Sequence, residues 1–258
     1  MKNTPFIAVT SQPVPYHADT TAIFNTLCQQ NSNSLLLDSA EIGSKNSLQS
    51  LILINAAVKI TCLGNQVTFR ALNANGKQVL KEIHPVLSQL GTVSAVNFEN
   101  EFSVQFAPLD NQLDEDSKLQ AATIFDGLRV ISNHYQHSST PVFLGGLFAY
   151  DLVANFIPMQ GVELKDDGIH CPDYSFYLAE NLITIDHQSQ QATLKSFCFS
   201  QEEQVEVAKT ALSIAQKLKN IDGVFSIKAA SDEVSTNFED PEFTGIVKAL
   251  KHHINIGD

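Results

Sequence analysis

Apolar positions along the chain recur with two periods, and the period sorts the segments. Leu35, Leu36 and Leu37 form a run too short for a helix and suited to a strand buried on both faces. Residues 47–54, 57–63 and 66–72 are β-rich and separated by Asn55-Ala56 and Gly64-Asn65, which predicts a meander of short strands joined by turns. Within it Val58, Ile60 and Cys62 alternate with Lys59 and Thr61, so one face is expected buried and the other wet. Residues 103–106 read as a further short strand. Residues 174–185 alternate too, 186–190 read as a turn, and 192–199 pair back as a hairpin partner. Helical spacing starts at Asp19-Thr20-Thr21 and continues through Ile23, Phe24 and Leu27. It returns over 78–90, cut by Pro85, and at Ala121, Ile124, Phe125, Leu128 and Ile131. Residues 201–218 form an amphipathic helix with Val205, Ala208, Leu212, Ala215 and Leu218 on one face. The first 16 residues hold three prolines and predict an extended arm, and 221–236 read as a linker. The sum is an α+β fold, with antiparallel sheets packed as a sandwich and helices outside.

Composition narrows the class. A chain of 258 residues can bury a sizeable core, and 43% hydrophobic with 17% charged residues is a globular balance. The net charge of -12 argues against nucleic acid, because no basic patch exists to displace counterions from phosphates. A soluble, acidic, cytoplasmic protein is expected. The N-terminus lacks the apolar core of a signal peptide, and no stretch approaches the roughly 18 apolar residues of a membrane span. Cys28, Cys62, Cys171 and Cys198 are widely spaced, which points to core or surface thiols rather than a zinc site or disulfide framework. His134 and His137 share a helix face as i and i+3, without further metal ligands in reach of the pattern.

Two stretches carry candidate chemistry. Asp38 and Ser39 put a carboxylate and a hydroxyl at the end of the Leu35 run. A small ligand with an amino group could use both, and a helix or turn cap would favour the same residue types. Gly145-Gly146 lies inside the apolar run 142–150, where glycine marks a bulge or a close backbone approach. No Lys-Ser/Thr follows it, so it is not a phosphate-cradling loop. Neither Tyr150 nor Asp151 after it is assigned chemistry, and Arg129 reads as a surface arginine.

Several of these stretches together resemble anthranilate synthase component I. They are LLLDSAEIGSK with the strand-rich 50–72, F-x-G-G-x-x-x-Y-D at 143–151, CPD at 171–173, FYLAE at 176–180, and I-x-x-G-D at 254–258. In that family a Leu-Leu-(Glu/Asp)-Ser segment lines the tryptophan feedback site, so the resemblance gives Asp38 and Ser39 that role. A lysine that follows the serine in some members falls near Gln49 here. The resemblance implies a regulatory region over 1–230, and over 231–258 a linker with the first helix of a chorismate-binding domain. It places the Mg2+ and chorismate ligands in the C-terminal half, so no catalytic or metal residue is expected among positions 1–258. The implied partners are L-tryptophan, a glutamine amidotransferase subunit (component II) and that C-terminal domain. The implied function is the feedback-sensing part of a lyase of tryptophan biosynthesis. The alternatives are part of an aminodeoxychorismate synthase, or a non-catalytic scaffold docking an amidotransferase.

Overall fold

The computed structural model describes residues 5–29, 31–38, 48–108, 114–138, 140–157, 171–221 and 236–257. In chain order these form β1 (Ala8–Val14), α1 (Thr20–Cys28), β2 (Leu35–Leu37), β3 (Gln49–Leu63), β4 (Gln66–Ala71) and α2 (Ala74–Leu87). There follow β5 (Thr92–Asn97), β6 (Glu101–Gln105), α3 (Glu115–Gln120), α4 (Asp126–His134), β7 (Leu144–Phe148) and a 3-10 turn, Tyr150–Asn155. The remainder is β8 (Tyr174–Asp186), β9 (Gln191–Cys198), α5 (Gln204–Leu218) and α6 (Asp240–Ile256).

Among the described residues the strands form one antiparallel sheet in the order β1-β9-β8-β3-β4-β6-β5, with β2 added to β3 and β7 to β8. The antiparallel α+β class is therefore as the periodicity predicts. The layers suggested by the meander and the hairpin are continuous with each other, because β3 and β8 run through both. The described part of the predicted extended arm contains a strand: β1 pairs along its whole length with β9, Ala8 opposite Cys198 through Val14 opposite Ala192.

Asn55-Ala56 is not a turn between two strands. The register of β3 against β8 shifts between Leu53 and Val58, a bulged stretch inside one strand. A bulge breaks the alternation that marks a strand, and this is why the pattern reads as two elements. The burial makes the shift visible. Before the bulge Leu53 packs into one core, while its neighbours Ile52 and Ile54 pack into another. Past it the even positions Val58, Ile60 and Cys62 belong to the core of Leu53. Successive strand residues point to opposite faces, so the two cores lie on opposite sides of the sheet. The larger is covered by Val79, Leu80, Ile83 and Leu87 of α2 with Ile131 of α4. The smaller is covered by Ile23 of α1 and by Ala211, Ile214 and Leu218 of α5.

Local chemistry sets the helix starts. Asp19 caps α1 by accepting from the Ala22 amide, as its position predicts. Asn73 caps α2 through the Gly76 amide, so α2 begins before the predicted residue 78 and continues through Pro85. Gly76 is obligatory there: a Cβ would stand 1.9 Å from the Ala57 carbonyl oxygen. Gly146 has the same meaning in β7, where a Cβ would meet the Ser175 carbonyl at 2.1 Å. The close backbone approach predicted for the glycine pair is thus observed at Gly146, while a Cβ on Gly145 would meet the Phe143 side chain. On α5 the predicted face is displaced. Val205, Ala208 and Leu212 are exposed, and the buried stripe is Val207, Ala211, Ile214 and Leu218.

The chain divides into two compact units, Met1–Val224 and Phe225–Asp258. In the second unit α6 carries Asp240 and Glu242 in its first turn, where they complement the helix dipole, and ends on Gly257 at φ 83°. None of the residues of α6 is buried.

Candidate functional site

Asp38 follows β2 directly and is exposed. Contrary to the expectation of a strand buried on both faces, β2 is a half-buried addition to the sheet, paired with β3 alone among the described residues and with Leu37 43% exposed. Ser39 lies outside the described residues. The pairing of Leu37 with Leu51 brings Asp38 beside the start of β3. The Ser50 hydroxyl, fully buried, donates to Asp38 Oδ1. Thr20, the first residue of α1, donates to Oδ2 at 3.2 Å. Neither contact is the helix or turn cap that the sequence left open, since both donors are hydroxyls remote in the chain.

Behind Asp38 the contacts continue. His187, just past β8, lies with Nε2 at 2.8 Å from Ser50 Oγ and Nδ1 at 3.2 Å from the Tyr16 hydroxyl. The Tyr16 and His187 rings meet edge-on, with centroids 5.9 Å apart. The His187 amide donates to the Leu48 carbonyl at 2.9 Å, which fixes the hairpin turn against the strand carrying Ser50. Gln49 pairs with Asp186, so it belongs to this same sheet end. Residue types left Asp38 between a cap and a ligand group, and the family resemblance flagged it as the latter. Nothing in the sequence flagged Tyr16, Thr20, Ser50 or His187, because strand register alone joins positions so distant in the chain.

The other candidates are structural. His134 pairs with Glu82 at 3.0 Å, and Tyr135 donates to the same carboxylate oxygen at 2.9 Å. Burial pushes the Glu82 carboxyl up, but hydrogen bonds from His134, Gln78 and Tyr135 outweigh it and hold the group below its ordinary value. Glu180 of the FYLAE run is buried and accepts from Asn73 at 2.9 Å and Asn75 at 2.8 Å. Burial dominates there and raises its pKa. Asp173 of the CPD run accepts from the Gly64 amide at 2.6 Å and from Asn155 at 3.0 Å, which ties the start of β8 to the β3–β4 turn. Burial, then the Asp173 charge, pushes the Cys62 thiol up to about 12, so it is not a nucleophile. Tyr150 is 90% exposed, and Arg129 pairs with Asp126 at 3.3 Å on the surface. Cys28, Cys62, Cys171 and Cys198 are all free thiols. Among the described residues no three His, Cys, Asp or Glu side chains gather as a metal site requires. No described helix is long and apolar enough to cross a membrane.

The model of a chorismate binding enzyme matches residues 78–258. The chain belongs to the chorismate-binding enzyme family. Within the family it is 86% identical over 253 residues to anthranilate synthase component 1 of Haemophilus influenzae, covering 98% of this chain and 49% of that protein. It is 40% identical over 268 residues to the component 1 of Vibrio cholerae, covering 100% and 50%. The component 1 of Escherichia coli is 33% identical over 249 residues, covering 94% and 47%. The resemblance to anthranilate synthase component I is thus borne out, and the chain spans about half the length of the curated relatives it matches. A crystal structure of anthranilate synthase component I from Streptococcus pneumoniae aligns over 94% of this chain and 45% of that one, at 14% identity and a TM-score of 0.39.

Proposed function

We propose that the chain is the tryptophan-sensing part of the large subunit of an anthranilate synthase, which converts chorismate and glutamine-derived ammonia to anthranilate and pyruvate. One observation carries the reading. In a chain 86% identical to an anthranilate synthase component 1, an exposed carboxylate is held by two hydroxyls at the end of β2. The Asp38 carboxylate takes the ammonium group of tryptophan through charge and hydrogen bonding, and Ser39 beside it supplies a donor or acceptor. The name component 1 supports a second subunit, a glutamine amidotransferase, as partner. The chorismate and Mg2+ chemistry is assigned to no residue of this chain. A second reading, a non-catalytic scaffold docking the amidotransferase, draws on the exposed apolar residues Leu147, Phe148, Tyr150 and Ile157 after β7 begins.

Both readings are testable. In the native full-length subunit, Ser39→Phe relieves inhibition by L-tryptophan, and an inhibition curve identical to wild type removes the assignment. The 258-residue chain gives no anthranilate fluorescence from chorismate, Mg2+ and ammonia. Fluorescence appearing with the purified chain overturns the statement that the chemistry lies elsewhere.

A further inference from the structure

We propose that Ser50 and His187 are positioning residues for the Asp38 carboxylate, acting through one directional chain of hydrogen bonds that starts at Tyr16. The inference rests on the reading of Asp38 as the group that meets the ligand's ammonium, and deepens it.

The direction follows from proton counting. A serine hydroxyl has one proton, and Ser50 gives it to Asp38. Its oxygen then accepts from His187, so Nε2 carries a hydrogen. In the neutral ring Nδ1 is then the acceptor, and the Tyr16 hydroxyl donates to it. The chain thus runs Tyr16 to His187 to Ser50 to Asp38, with every donor matched. It is not a nucleophile–base arrangement: the Ser50 proton points to the carboxylate rather than to the histidine, and Ser50 is fully buried. Its product is an oriented carboxylate. Ser50 and Thr20 occupy one acceptor site on each Asp38 oxygen, and a carboxylate has about four. Among the described residues no other donor reaches Asp38, which leaves the remaining sites to an incoming ammonium, and the carboxylate does not have to be ordered when that group arrives.

Two measurements separate this inference from the reading beneath it. Long-range 1H–15N spectra of the 258-residue chain report the His187 ring, and 13C spectra the Asp38 carboxyl. The expected result is a neutral His187 protonated at Nε2. Ser50→Ala should move both the ring and the carboxyl resonances, and Ser50→Thr should restore them. An Nδ1-protonated ring, or an Asp38 resonance indifferent to Ser50→Ala, overturns the chain. Should Ser50→Ala fail to fold, His187→Ala at the hairpin turn serves instead, and an unmoved Asp38 resonance is again the overturning result. The second measurement is inhibition of the native full-length subunit by L-tryptophan. Ser50→Ala should weaken it about tenfold, the scale of one lost hydrogen bond to a charged group, with Ser50→Thr close to wild type. Inhibition of Ser50→Ala equal to wild type, with Asp38→Asn uninhibited, overturns the positioning role and keeps Asp38. Inhibition of Asp38→Asn equal to wild type overturns the ligand reading itself.

Discussion

Among the described residues two carboxylates each belong to a hydrogen-bond cluster that contains a histidine and a hydroxyl, and they have opposite characters. Glu82 of α2 receives Tyr135 and His134 on one oxygen and Gln78 on the other. Its side chain is only 16% exposed. Asp38 receives Ser50 and Thr20, one on each oxygen, with His187 one step removed, and is exposed. The first cluster ties α2 to the end of α4 over the larger core. The second sits where β2, β3 and the β8–β9 turn come together. A carboxylate enclosed by donors is a brace, while one held from behind with free acceptor sites in front can bind. The amino acids are nearly the same, and enclosure makes the difference.

The comparison can be broken by stability measurements on the 258-residue chain. The largest effect is expected from Gly76→Ala. The new Cβ meets the Ala57 carbonyl and pushes α2, with Glu82, off the sheet, at about 3 kcal/mol in urea unfolding. NMR should show His134 disturbed and His187 unchanged. If His187 is disturbed equally, the two clusters are not independent. Next comes Glu82→Ala, which leaves the buried Tyr135 hydroxyl and His134 without their acceptor and should cost about 2 kcal/mol. Asp38→Ala comes last. Asp38 is itself exposed, and the buried Ser50 hydroxyl keeps His187 as a hydrogen-bond partner, so the loss should be smaller, about 1 kcal/mol. A stability loss at Asp38 equal to that at Glu82 would make Asp38 a brace too.

Acid sharpens the same contrast. Glu82 titrates in the fold below its ordinary value, so the unfolded chain binds more protons in that window. Its contribution is present above the unfolded value and is lost as pH falls through the folded one. Glu180, raised by burial, has the opposite sign: its contribution is present below the unfolded value and is lost as pH rises through the folded one. In pH-dependent unfolding, Glu82→Gln should reduce the low-pH loss, and Glu180→Gln should steepen it. A Glu82→Gln profile parallel to wild type would remove Glu82 as its source.

Much of this was legible in the chain. Strand periodicity over 57–63, 66–72 and 174–185, the Asp19 cap and the close approach at Gly146 depend on near neighbours, and they appear where the pattern put them. Asp38 was legible as a carboxylate ending a strand. Other features needed the fold. Asn55-Ala56 has turn composition, yet flanking pairings with β8 carry the backbone straight through it as a bulge. On α5 two apolar stripes fit a helical period, and the smaller core selects Ala211, Ile214 and Leu218, with Val207 buried on the same face. The single strand pair of β2, which leaves Asp38 exposed, is likewise a fact of sheet order.

By itself the sequence determined the α+β class, most of the strands and helices, the family, and the place of the Asp38 carboxylate at a strand's end, because each is written in local spacing or in ordered motifs. Only the tertiary structure decided which groups hold that carboxylate. Ser50 and His187 are separated by 137 residues and meet because β3 pairs antiparallel with β8, Ser50 opposite Ile185. Register is a property of two strands together, and no single stretch of chain contains it.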